Sequence, residues 1–481
     1  MGIFRTNNPS LYDEVDGIII DESAPPPSVR GVGTGIAILV GQFQRGPLTM
    51  ESIGSAGQLF ELYGRSYTYK GNIALMNKKF ASLKIIRAAA AAAAKASLTI
   101  DDGAGTPTDI ITFTAKYVGA YGNSITVTVE DGTTEGKKYT IADGSTDAVL
   151  LPEIYDDVVI TAVGTTFSES KLVDVTVLAT SAEPEDTAAT ALESGSDGTI
   201  ADTDYQTAIA LAEVEGAGNI LFLDDYNSTR NGYLKTHAAA VEDKVVVMAG
   251  SETETAAQSI TAVATLRDTQ GRCIYAANWI ETTINGTATF TSPASWLASI
   301  LSQTHPSVDP AYAANAQFMA GANRVKKSYT RTEFINMNKA GVCAFEYDAD
   351  IGIKPKSGVV TQIADSSKLM IFRRRMADYL TASVATFLKT YQNAPNTANM
   401  RRDVGAAILG FVESQERLGV LPKDAEVNTG LAKLVDVETL NTDDTIAAGF
   451  FYILWKQRIY SSARFIVIKA QIGESVVVTE V

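Results

Sequence analysis

Histidine and cysteine are nearly missing from this chain, whose 481 residues include two of each. Acid-base or metal chemistry built on imidazole would have to rest on His237 or His305. His237 sits in YLKTHAAAVED and reads as a partly exposed helix residue, while His305, in QTHPSVDP, reads as part of a proline-punctuated loop. Cys273 and Cys343 cannot build a zinc cluster unaided, and Cys343, inside the apolar run GVCAF, reads as core. Basic residues are outnumbered 40 to 55, leaving a formal charge of −15 that argues against wrapping nucleic acid or docking on an anionic membrane. No apolar run reaches the roughly 20 residues of a spanning helix. The start, MGIFRTNNPS, has no signal-peptide core, so the expectation is a soluble protein made without export.

Hydrophobic residues make up 46% of the chain, enough to give each of several domains a core. Residues 1–29 read as an arm: one short strand, GIIID, is followed by Pro25, Pro26 and Pro27. A lone strand cut off by prolines has no sheet of its own, so Ile18, Ile19 and Ile20 are expected to pair with something else. From GIAILVG to LKIIR the pattern is that of a βαβ unit. It resumes after residue 199 with NILFLDD, KVVVMAG and CIYAA, runs apolar on both faces as buried parallel strands require. Between them, residues 96–198 alternate instead, Ile125, Val127 and Val129 against Thr126 and Thr128. That is antiparallel β with one wet face. The entry, an alanine run over residues 88–94, reads as a short helix or a compact linker. Two periodic helices follow, one carrying Leu369, Phe372, Met376, Tyr379, Leu380, Val384, Phe387 and Leu388, the other over residues 397–418 and closed by Gly419. AGFFYILWKQ, SARFIVIKAQI and ESVVVTEV then read as strands.

The fold class is therefore multidomain: an α/β core with an inserted antiparallel β domain and an α+β C-terminal domain. The boundaries read as arm 1–29, core 30–95, insertion 96–198, core 199–360, C-terminal domain 361–470 and C-terminal arm 471–481.

No chemical constellation stands out. In RGVGTGIAILVGQFQRGPL the glycines precede the strand and lack the third position of a dinucleotide fingerprint. Gly41 to Gly46 has Walker spacing, but Pro47 and Leu48 stand where Lys and Ser/Thr would be needed. Asp348 and Asp350 begin like a calcium loop, with the glycine misplaced and no Glu at its twelfth position. Asp224 and Asp225 end a strand where α/β enzymes put functional groups, a position where surface aspartates are also common. No cofactor or metal ligand set is expected. An α/β hydrolase or nucleotide-binding enzyme and a secreted surface-layer protein are the alternative readings.

Several stretches together resemble one family, the tail sheath proteins of contractile bacteriophage tails and related injection machines. They are RGVGTGIAILVGQFQRGPL with SAGQLFELYG, KIIRA entering the alanine run, YVGAYGNSITVTV, and the pairing of RRRMADYLTASVATFLKTYQNAPNTANMRRDVGAAILGFVESQERLGVL with ARFIVIKAQI. The resemblance runs along nearly the whole chain and is looser in the N-terminal arm and around HPSVDPAYAANAQF. It implies a structural protein and no enzyme. Such a protein polymerises with itself in six-subunit rings around an inner tail tube protein and meets baseplate and tail terminator proteins. It belongs to a virion tail assembled in the host cytoplasm. It touches neither nucleic acid nor membrane directly, and contracts to drive the tube through a target envelope. Unpaired terminal strands suit such a lattice, because strands lent to a neighbour's sheet edge join subunits through main-chain hydrogen bonds. The expected couplings are Ile18, Ile19 and Ile20 in the N-terminal arm and Val476, Val477 and Val478 in the C-terminal arm. The receiving sheet is expected to contain Phe450, Ile453, Phe465 and Val467. Arg373, Arg374, Arg375, Arg401 and Arg402 are candidate tube contacts, their clusters standing out in an acidic chain.

Overall fold

The computed structural model describes residues 28–365, 368–427 and 430–464, together with the backbone of Gly2–Arg5 and Gly17–Ile20. Its described residues fall into two compact units, one spanning Gly33–Tyr379 and the other drawn from Met1–Val32 and Leu380–Val481.

The larger unit is built on an eight-stranded sheet in the order Gly352–Pro355, Val342–Asp348, Cys273–Ala277, Val245–Ala249, Ile220–Leu223, Ile36–Gly41, Ser82–Arg87 and Met50–Ile53. The six central strands run parallel and the two edge strands antiparallel. Alternate residues of each central strand feed two cores. Leu39, Ile85, Phe222 and Val247 pack with Trp296 and Leu301 of helix Pro293–Gln303 and with Tyr63 on one face. Ile38, Leu221, Val246 and Tyr275 pack with Tyr205, Leu234 and Met337 on the other. Burial on both faces is why these segments are apolar without alternation.

Strands Ile36–Gly41, Met50–Ile53 and Ser82–Arg87 precede residues 96–198, and the other five strands of the sheet follow them. The stretch between is itself two antiparallel sheets. One has the order Glu153–Val158, Lys137–Asp143, Ile125–Asp131, Thr187–Ala191, the other Val173–Val177, Asp109–Ala115, Ser97–Asp101. They close over Phe113, Val127, Tyr139, Ile141, Val163 and Phe167. Residues 88–94 form no helix, which decides for the linker: Ala88 N–H donates to the Gly41 carbonyl (2.8 Å) and Ala94 bridges to Ser196.

Helix Ile371–Leu388 buries Phe372, Met376, Tyr379, Leu380 and Val384, whereas Leu369, Phe387 and Leu388 are only half-buried. Helix Ala398–Arg417 begins at Thr397, whose side chain accepts from the Met400 N–H, and gives way to Gly419 at φ +71°. AGFFYILWKQ does not form one strand. Only Leu454–Gln457 pairs, antiparallel to Lys433–Asp436, because Gly449 at φ +83° ends the preceding turn and Phe450 and Tyr452 are turned to solvent.

Candidate assembly surfaces

The glycines of RGVGTGIAILVGQFQRGPL serve close packing. Gly35 has φ +88°, and a Cβ there would stand 3.1 Å from the Ser302 carbonyl oxygen at the end of helix Pro293–Gln303. Gly46 has φ +117°, and a Cβ would meet Tyr63 at 2.6 Å. The loop between them carries a buried arginine. Arg45 ion-pairs Asp143 at 3.1 Å, donates to the carbonyls of Phe60 (3.3 Å) and Glu61 (3.0 Å), and lies 4.4 Å over the Tyr121 ring. Arg87 donates to the carbonyls of Gly46 (3.0 Å) and Val118 (2.9 Å), and the Tyr69 hydroxyl donates to Asp197 (2.8 Å). These bonds tie the α/β sheet to the inserted sheets, and the donors a phosphate would need are already spent on carbonyls and a carboxylate. Burial by itself would raise the Asp143 carboxyl, but Ser145, Tyr121 and Arg45 hold it below its usual value.

Asp224, at the end of strand Ile220–Leu223, is buried and accepts from the Gln42 N–H (2.8 Å) and the Tyr205 hydroxyl (3.0 Å). Burial pushes its pKa up to about 6. Asp225 pairs with the exposed Lys70 at 3.2 Å. His237 departs from expectation: it is buried in helix Ser228–Val241, turned inward beside Leu234 and Ala238, and burial with Lys244 lowers its pKa. His305 lies in a loop with Nδ1 2.8 Å from Ser307 Oγ. Cys273 and Cys343 are buried in adjacent parallel strands, with burial raising both thiols. Asp348 Oδ1 accepts from the N–H groups of Asp350 (3.0 Å) and Ile351 (3.2 Å), a strand-connecting turn. Among the described residues no three His, Cys, Asp or Glu side chains are grouped to hold a metal, and no helix is long and apolar enough to cross a membrane.

The five arginines divide. Arg375 is buried and donates to the carbonyls of Leu301 (2.6 Å) and Thr304 (3.3 Å), placing a cation at the C-terminal end of helix Pro293–Gln303. Arg374 pairs with Asp378 at 2.6 Å, which also accepts two bonds from Arg272 at 3.0 Å each. Arg401 is buried and donates to Asn396 Oδ1 at 3.0 Å. Arg402 is exposed, 3.7 Å from Glu438, and Arg373 is half-buried.

Gly17–Ile20, which contains Ile18, Ile19 and Ile20, is not a lone strand. It pairs in parallel with Gly2–Arg5, Ile3 opposite Ile18 and Phe4 opposite Ile19. Val476, Val477, Val478, Phe465 and Val467 lie outside the described residues. Phe450 is exposed and stacked on Tyr452 with ring centroids 5.7 Å apart, and Ile453 is half-buried. Leu418, Leu431 and Leu440 of the same unit are also exposed, Leu418 by 71%. Among the described residues, sheet Lys433–Asp436/Leu454–Gln457 has only two strands.

Of the residues that organise these surfaces, Arg45 stands in RGVGTGIAILVGQFQRGPL, between Gly41 and Gly46, whose spacing is that of a phosphate loop but which lacks its Lys and Ser/Thr. Its partner Asp143 lies 98 positions away and carries no local signal.

Neither a protein-family description nor a curated protein sequence matches the chain. Solved structures do. The sheath tail protein Lin1278 of Listeria innocua is similar with a TM-score of 0.64 at 15% identity, over 85% of this chain and 90% of that one. A sheath tail protein of Desulfitobacterium hafniense is similar with a TM-score of 0.61 at 18% identity, over 88% and 94%. The contracted helical sheath of the anti-feeding prophage is similar with a TM-score of 0.58 at 14% identity, over 95% and 99%. A likeness that takes in nearly the whole of each sheath chain identifies the fold of this one: it is the fold of contractile tail sheath proteins.

Proposed function

We propose that the protein is a sheath subunit that polymerises with itself around an inner tail tube and contracts to drive that tube through a target envelope. The observation that carries this reading is the extent of the likeness, which takes in 88–95% of this chain and leaves almost none of the sheath chains unmatched. Contraction on this reading is a change between two packings of largely rigid subunits, without hydrolysis, and the chain is no enzyme. Its other partners are the tube protein, the baseplate and the tail terminator. An anti-feeding prophage baseplate assembly also holds a chain of this fold, with a TM-score of 0.55. The protein acts in a virion tail or a related particle, put together in the producing cell's cytoplasm.

The subunits are coupled by strand exchange. Ile18, Ile19 and Ile20 from one neighbour and Val476, Val477 and Val478 from another add to the outer edges of Lys433–Asp436/Leu454–Gln457, where Phe450 and Ile453 flank the incoming strands. Among the described residues this sheet has two strands, and a sheet of so few strands is marginal in water and is stabilised by further strand addition. Of the arginines, Arg402 is the retained tube contact, since its side chain is 71% exposed, whereas Arg375 and Arg401 are buried and Arg374 is paired with Asp378. Negative-stain microscopy of the purified protein tests the reading: long hollow tubes are expected, and dispersed monomers at high concentration would overturn it.

A further inference from the structure

The larger unit contains a cavity of 270 Å³ walled by Ile53, Leu59, Phe60, Leu75, Phe80 and Leu83. Of the polar side chains that also line it, Lys78 and Asn72 are at least nine-tenths buried. Lys78 is 9% exposed, donates to the Met76 carbonyl at 3.1 Å and stands 4.2 Å from the centre of the Trp296 ring. No carboxylate among the described residues pairs with it. Asn72 is 2% exposed, and while its amide donates to the carbonyls of Gly64 and Ser66, its Oδ1 has no hydrogen-bond partner.

A packing void would be apolar throughout, and buried polar groups are ordinarily satisfied. A buried ammonium with one carbonyl and a ring face keeps N–H donors in hand and lacks the anion that would offset its lost hydration. We propose that this cavity binds a medium-chain fatty carboxylate, its chain against the apolar wall and its head group on Lys78 Nζ. Asn72 Oδ1, an acceptor, would repel a bare carboxylate, so it takes a donor such as a bound water beside the head group. Burial holds the Lys78 pKa well below its ordinary value, and an arriving carboxylate favours the charged form.

Calorimetry on the full chain with decanoate, decanol and decylamine, each below its micellar concentration, tests this. Decanoate is expected to bind about tenfold or more tighter than decanol, as a hydrogen bond to a charged group provides. Decylamine is expected to bind more weakly than decanol. Lys78→Met should bring decanoate down to decanol, and Ala56→Phe, at an exposed position of the lining, should block both. Decanoate no tighter than decanol, or unaltered by Lys78→Met, would overturn the proposal. Should Lys78→Met not fold, the preference for decanoate over decanol and decylamine and the Ala56→Phe block decide it, and absence of either is fatal.

Discussion

Arg45 and Asp143 form a buried ion pair in which neither charge can turn to solvent once the other is removed. Arg45→Ala or Asp143→Ala is therefore expected to cost the monomer about 3–5 kcal/mol in urea unfolding, whereas Arg45→Met with Asp143→Leu, which buries no charge, should cost much less. The two buried aspartates also have opposite pH signatures. The Asp143 carboxyl is depressed, so its contribution is present above the unfolded value of 3.8 and is lost as the pH falls through its lower folded value. Asp224 is raised to about 6, so the folded state takes up its proton first and stability rises as the pH falls from 7 towards 4. That rise is about 2 kcal/mol by the usual conversion. Asp224→Asn should flatten it, and unfolding midpoints at pH 7 and pH 5 that shift equally in variant and parent would refute the assignment. At this scale the sequence was least legible. The burial of Cys343 was plain from the apolar run around it, but nothing near His237 marked its side as the inward one, and the partners of Arg45 and Arg375 are set by tertiary contacts far along the chain.

Elements were more readable. Parallel strands announce themselves as runs apolar on both faces, and the inserted strands by their alternation, so the places where the sheet is interrupted and resumed could be read directly. The boundary of strand Leu454–Gln457 could not, because FFYIL is apolar whether it pairs or stays exposed, as Phe450 and Tyr452 do. The insertion leaves the sheet through residues 88–94 and returns through a linker, so its excision leaves every ladder of the eight-stranded sheet intact. It also strips Arg45 of Asp143 and Arg87 of the Val118 carbonyl. Deleting residues 97–197 is accordingly expected to lower the melting temperature unless Arg45→Met accompanies it, and with that change long tubes should still form. Loss of all assembly by a folded, compensated deletion would refute this. The arms behave oppositely on the proposed reading: starting the chain at Ser28 or ending it at Gly473 should abolish tubes with little change in monomer melting. Long tubes from either truncation would dismiss exchange through that arm.

Across the whole molecule, charge is far from evenly spread. Residues 96–198 hold 18 acidic and 4 basic side chains, a net −14 of the chain's −15, so everything outside the insertion is close to neutral. Polymerisation of the full chain should therefore strengthen with added salt, as repulsion between insertions is screened, and polymerisation of the insertion-deleted chain should respond far less. Equal salt dependence in both would mean that the insertions do not sense one another. The N-terminal ladder bears on timing. Because Gly17–Ile20 already has a partner in Gly2–Arg5, a newly made subunit carries its adhesive strand with one edge occupied, and four paired residues on each side form only a weak latch. Opening that latch becomes a toll on the first encounters between free subunits and a small one on addition to a growing end, where neighbouring edges compete for the strand. A chain beginning at Thr6 should then polymerise with a shortened lag and lose its preference for preformed ends, so the first few residues would govern where a sheath starts and how many start at once.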